Sequence, residues 1–380
     1  MKRIKYITEA SFSFALIIAA NSMAEWHPFV PNAESGLPHL LMELISPLTY
    51  CLTWILCMFI GFFAPASAKG PVAFGALGLI YANMAIVLFR QCGFEIPIEA
   101  NVAGTIANNI GAPLLYLLWE QYFASEDDDQ CIADILVGRG LPVLLFALLG
   151  LISSSSQTMG LRAVILLVAA VALTRCYRSM DWSAPMYAER PLDHRRTYLN
   201  VMVLSWKSAL CIGSLAFLYT VLRSAFTSSN STLNGILTYA PLLGMLAASL
   251  AIMALWQRRS FSFNVIQVFR SLFPFLLCLF AAIPLFATAL PQITYGIAYG
   301  IFSLLVSIGM VQCCQTCKRD GVSPLFMFGF YFGIVNVIQL LGYGFSSILK
   351  TYAFFGQSHG FVIALSAMFV TSLVFYLVRG

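Results

Sequence analysis

GVSPLFMFGFYFGIVNVIQLLGYGFSSIL, residues 321–349, runs its whole length without an Asp, Glu, Lys or Arg. A hydrocarbon core about 30 Å thick is crossed by roughly 20 apolar residues in helical form, so this stretch can span a bilayer. Similar uncharged runs fill the chain. They include Gly70 to Phe89, Ala100 to Trp119, Gly140 to Leu161 and Thr351 to Val378. Ser224 to Gln257 holds one span and an outer loop, and Ser271 to Cys317 is long enough for two spans. Only 10% of the 380 residues are charged and 60% are hydrophobic, against a charged share of about 25% in soluble domains. One soluble core could not bury that much apolar surface.

Turn residues and charge clusters place spans near 7–26, 40–63, 72–89, 100–123, 139–153, 161–177, 199–222, 236–256, 265–286, 292–314, 324–349 and 361–378. A membrane barrel would show alternating segments of about ten residues, whereas these runs are apolar on every side. The expected class is therefore an all-α, polytopic integral membrane protein of about twelve transmembrane helices. An N-terminal signal peptide is the competing reading of Lys2-Arg3-Ile4-Lys5 followed by an apolar stretch and Ser22-Met23-Ala24. Cleavage there would leave eleven spans.

Basic residues set orientation. With the N-terminus inside, inner segments collect sixteen Lys and Arg, among them Arg139, Arg175, Arg178, Arg195, Arg196, Lys318, Arg319 and Arg379. Outer segments collect only Arg90, Arg162, Arg223 and Lys350. Both termini are thus expected in the cytoplasm, and a cell (plasma) membrane is the expected location. The acidic run Glu126-Asp127-Asp128-Asp129 falls on the inner side, where it reads as a solvated turn. Ser125 with Asp128 is expected to cap the next helix.

The longest hydrophilic connection, Ser179 to Asn200, has six spans on each side. It divides the chain into an expected N-terminal six-helix bundle (1–178), a cytoplasmic linker (179–200) and a C-terminal six-helix bundle (201–380). Twelve spans, inner termini and a basic central loop resemble the major facilitator superfamily, with its two six-helix halves. The loop after the second span, Gly61-Phe62-Phe63-Ala64-Pro65-Ala66-Ser67-Ala68-Lys69-Gly70, keeps a Gly and a Lys of that family's signature but lacks its Asp. Arg258 and Arg259 follow the eighth span, again without an acid.

A narrower resemblance lies in Leu117-Leu118-Trp119-Glu120-Gln121-Tyr122, in Arg162 through Arg175-Cys176-Tyr177-Arg178, and in Ser205-Trp206-Lys207 leading to Phe217-Leu218-Tyr219-Thr220-Val221-Leu222-Arg223. These words are similar to the membrane domain of bacterial membrane-bound LuxR-type regulators. That resemblance implies a small-molecule-sensing membrane module. The family's DNA-binding helix-turn-helix would follow the last span, and this sequence stops at Arg379-Gly380. Nothing in the sequence itself reads nucleic acid.

Polar residues in hydrocarbon mark ligand paths or helix packing. On the fourth span Asn101, Thr105, Asn108, Asn109, Tyr116 and Glu120 recur at three- and four-residue spacing and share a face. Tyr295, Tyr299, Ser303 and Ser307 do the same on the tenth. In a facilitator-like fold these two helices are expected to line the central cavity. Asn101, Thr105, Asn108, Asn109, Tyr116, Tyr295, Tyr299, Ser303 and Ser307 are accordingly the candidate contacts to an unidentified small-molecule ligand. Helix-to-helix hydrogen bonding is the alternative for the same residues, and it is the reading taken for Asn336 and Gln339. Glu43, Glu120, Lys207 and Arg270 are expected to snorkel to the interface. No carboxylate lies at mid-membrane, which speaks against proton-driven transport.

No cofactor is expected. Cys313-Cys314 and Cys317 form the one thiol cluster, without a nearby His to complete a zinc site. No phosphate-binding loop, nucleophile elbow or buried acid pair is legible, so an enzyme is not expected. Asn230-Ser231-Thr232 reads as an outer-face glycosylation acceptor. Two functions stay open: the sensing module, and a facilitator-type secondary transporter of a small organic compound.

Overall fold

The computed structural model describes residues 7–26, 39–64, 71–149, 155–187, 194–227, 234–257, 263–289, 291–351 and 359–379. The basic N-terminal residues, loop 65–70, the Ser153–Ser154 turn, linker residues 188–193, the glycosylation motif and Arg258–Arg259 lie outside the described residues.

In lipid every backbone polar group must be satisfied internally, which for apolar segments means helix. Thirteen α-helices form among the described residues: α1 (Glu9–Trp26), α2 (His39–Phe63), α3 (Pro71–Gln91), α4 (Ile98–Ser125), α5 (Asp128–Gly140), α6 (Pro142–Leu149), α7 (Ser155–Arg178), α8 (His194–Thr227), α9 (Asn234–Trp256), α10 (Val265–Ala289), α11 (Pro291–Asp320), α12 (Pro324–Thr351) and α13 (His359–Arg379). Eight described segments are long and apolar enough to cross a membrane. The polar stripe of α4 keeps it out of that set despite its 28 residues.

Local sequence explains the boundaries. α3, α6, α11 and α12 each open on proline, whose missing N–H costs nothing at a helix start. Gly93 and Gly321 take positive φ (88° and 64°) at the α3–α4 and α11–α12 reversals, a conformation that favours glycine. Arg175 and Arg178 end α7, and Lys318 and Arg319 end α11, where cations complement the helix dipole.

The fifth span corrects the sequence reading. The helix begins at Asp128 rather than near 139, and α5 and α6 are separated by Leu141 alone. The acidic run therefore opens a helix, where negative charge is favoured. Its N-cap is Asp127, with no side-chain cap bond, while Ser125 Oγ turns back to Tyr122 O at 2.6 Å. The expected capping by Ser125 and Asp128 does not form.

The chain divides into two compact units. The first comprises Met1–Val201 with Cys313–Gly333; the second comprises Met202–Gln312 with Ile334–Gly380. Within the first, α3 and α4 pack through glycine. A Cβ on Gly104 would lie 2.9 Å from Asn83 Oδ1, and one on Gly111 would lie 2.5 Å from Ala76 O. The end of α11 and the start of α12 belong to this unit: Ser323 N–H donates to the Tyr198 hydroxyl at 3.0 Å, and the Phe326 ring lies tilted against those of Tyr198 and Phe62. Within the second unit, Gly244 of α9 meets Gly296 and Gly300 of α11, and Gly342 of α12 meets the Phe217 backbone of α8.

Candidate functional site

Asn101, Thr105, Asn108, Asn109 and Tyr116 all lie on α4, in the first unit. Two of them bond back within their own helix, and a third bonds to the residues just before it. Asn101 Nδ2 donates to Ile96 O and Pro97 O at 3.4 Å each, Thr105 Oγ1 to Asn101 O at 3.0 Å, and Asn109 Nδ2 to Thr105 O at 2.8 Å. Pro113 lacks the N–H that would close onto Asn109 O. Thr53 Oγ1 of α2, bonded chiefly to Thr49 O at 2.8 Å, also reaches that carbonyl at 3.4 Å. A side chain of α2, rather than the stripe itself, thus partly replaces the bond lost at Pro113. Tyr116 packs edge-on against Phe14.

Asn108 differs from its neighbours. Its Oδ1 accepts from Arg162 Nη2 of α7 at 3.5 Å, the limit of a useful hydrogen bond. Arg162 was assigned by charge counting to an outer segment; the structure places it inside α7, 4% exposed, with Nε buried and unbonded. Beside it, the Tyr81 hydroxyl of α3 donates to Ala163 O, so α3, α4 and α7 converge here. Sequence reasoning missed Arg162 because it sits near the end of an apolar run, where Arg usually reaches water.

Glu120 is a second correction. It does not snorkel: it is 3% exposed, and its Oε2 has no hydrogen-bond partner. The neighbouring opposite charge is Arg139 of α5. Its neighbours Trp119 and Phe123 are fully buried, which holds this end of α4 inside the bundle.

Tyr295, Tyr299, Ser303 and Ser307 lie on α11, in the second unit. Ser307 Oγ donates to Ser303 O at 2.9 Å, and both serines are fully buried. Tyr299 meets Tyr219 of α8 edge-on at 5.4 Å, and Tyr219 lies 4.7 Å from Phe302. Gln339 of α12 donates to the Tyr219 hydroxyl. Tyr219 and Gln339 therefore join the tyrosine stripe in one aromatic–amide cluster. The visible signal for both was a polar group inside an apolar run.

Beside the turn between α4 and α5 a cavity of about 510 Å³ is lined by Glu126, Asp127, Asp128, Asp129, Pro185 and Lys318, among others. Lys318 Nζ binds Asp128 Oδ1 at 2.7 Å and also donates to Glu126 O. Burial, and next the Asp134 carboxylate, push the Glu126 carboxyl up to about 9. Among the described residues no three His, Cys, Asp or Glu side chains are placed to hold a metal. Cys313, Cys314 and Cys317 are fully buried free thiols.

No protein-family model and no curated protein sequence matches the chain, so the LuxR-type resemblance gains no support there. Solved structures do resemble it along its whole length. A bacterial homologue of the iron transporter ferroportin, in an outward-facing state, aligns at TM-score 0.68 and 13% identity, covering 99% of this chain and 100% of that one. The human organic anion transporter MFSD10 aligns at 0.63 and 14%, covering 97% and 98%. FucP, a major facilitator superfamily transporter in the outward conformation, aligns at 0.58 and 9%, covering 98% of each. The chain is a multi-pass membrane protein with the major facilitator superfamily fold.

Proposed function

We propose that this chain is a facilitator-type secondary transporter of a small organic compound, working by alternating access in a cell membrane. The observation that carries the reading is the burial of Arg162 and Glu120 in the first unit, each with a polar atom left unbonded. Ionisable groups are costly inside a membrane bundle, and they default to substrate or ion pathways. Glu120 is a carboxylate of the kind that ion coupling uses. The whole-length likeness to transporters adds support. Asn101, Thr105, Asn108, Asn109 and Tyr116 on α4, and Tyr295, Tyr299, Ser303 and Ser307 on α11, are the proposed substrate contacts. The LuxR-type sensing alternative has no support from the comparisons.

The test is purified full-length protein in liposomes under an imposed proton gradient, facing a defined mixture of organic acids, amines, sugars and nucleosides. Accumulation of a solute above protein-free vesicles, read by mass spectrometry and abolished by collapsing the gradient, is the expected result. Accumulation that never exceeds the empty vesicles refutes transport.

A further inference from the structure

Arg162 presents a chemical problem that the rest of the first unit leaves open. A buried guanidinium is ordinarily paired with a carboxylate and fully hydrogen-bonded, because an isolated buried charge is strongly unfavourable. Here its one hydrogen bond among the described residues is the 3.5 Å contact to a neutral amide, Asn108, and Nε has none. The acids of α4 cannot reach it. Glu99 lies nine residues before Asn108 and Glu120 twelve after it, about 14 Å and 18 Å along the helix.

The free geometry is specific. Nε and Nη2 form one edge of the guanidinium, the edge that grips a planar carboxylate through two parallel hydrogen bonds. On that edge Nε is unbonded and Nη2 is held only weakly. Asn108 is half-buried where Arg162 is buried, so the amide is the more exposed of the two. One turn back on the same face, Gly104 leaves room for Asn83 of α3. Two amides and an unneutralised cation therefore stand where three helices converge.

We infer that Arg162, with Asn108, is an anion-recognition point for a carboxylate-bearing solute. The inference rests on the transporter reading for what the solute is doing there, and it specifies the substrate class. The carboxylate takes the Nε–Nη2 edge, and the Asn108 amide is released to donate to it.

The experiment is thermal stability of the detergent-purified full chain at constant total salt, with chloride replaced stepwise by benzoate, by phosphate, or supplemented with neutral benzamide. Benzoate is expected to raise the melting temperature, and benzamide and phosphate are not. Arg162→Gln should weaken the benzoate response roughly 10- to 100-fold, the scale of lost charge-assisted bonds. Asn108→Asp supplies an internal carboxylate; it should raise the melting temperature without ligand and abolish the response. The inference is overturned by equal effects of benzoate and benzamide, by a phosphate response alone, or by no response to any probe. It is equally overturned by an undiminished benzoate response in either variant. Liposome uptake is read separately, so loss of transport with intact benzoate binding sinks the transporter reading and leaves this site standing.

Discussion

Replacing Gly329 by alanine probes how tightly the inner part of the first unit is packed. On Gly329 an added Cβ would run into the Met58 backbone nitrogen, 2.8 Å from Met58 Cα and 2.9 Å from Trp54 O. Ordinary carbon contacts begin near 3.5 Å, so the shortfall at Met58 Cα is about 0.7 Å. Both obstacles are backbone, and no side-chain rotation relieves them. α2 and α12 must part, loosening the Trp54–Phe332 ring contact at 5.3 Å. Overpacking of this kind costs about 1–3 kcal/mol, and the better helix propensity of alanine returns about 1 kcal/mol. Gly333, one turn further along α12, supplies the control: its Cβ would meet Ile55 Cγ1 at an ordinary 3.5 Å. Gly333→Ala should therefore be neutral or stabilising by up to about 1 kcal/mol, and Gly329→Ala destabilising by about 0–2 kcal/mol, so that the two variants differ by about 1–3 kcal/mol. Melting temperatures of both variants in one detergent, at one scan rate, decide the matter. If the two behave alike, the close approach of α2 and α12 is wrong.

Two more perturbations follow from the same structure. Glu126 titrates near the ordinary 4.5 when unfolded, and burial beside Asp134 pushes it up to about 9 in the fold. Between those values the folded state holds a proton that the unfolded chain has lost, so stability falls as pH rises. Glu126→Gln should match the parent near pH 5 and become increasingly the more stable of the two toward pH 9; a difference that is flat with pH contradicts the buried carboxyl. Gln339→Leu removes the donor to the Tyr219 hydroxyl and should cost about 0.6 kcal/mol, the average for bonds between membrane helices, and at most about 1.7 kcal/mol. Its effect should be non-additive with Tyr219→Phe in a double-mutant cycle, and strict additivity would dismiss the bond.

Hydropathy with turn residues placed most of the helices of this protein, because lipid offers an apolar segment no other way to satisfy its backbone. The ends of α4 and α12 fall within about two residues of the expected spans for that reason, and proline and glycine mark the reversals. The α4 and α11 stripes were legible as faces, since helical spacing is a property of one segment. What those faces do was not. Pro113 strips Asn109 O of its donor, and only the approach of α2 shows Thr53 supplying another. The fifth span read short because the acids of α5 look like a loop until the fold encloses Asp134. Arg162 and Glu120 carry the same letters as residues that snorkel to water. Their burial depends on which helices stand beside them, and a one-dimensional pattern cannot contain that information. Tertiary packing turned two interfacial charges into the interior ones on which the functional reading rests.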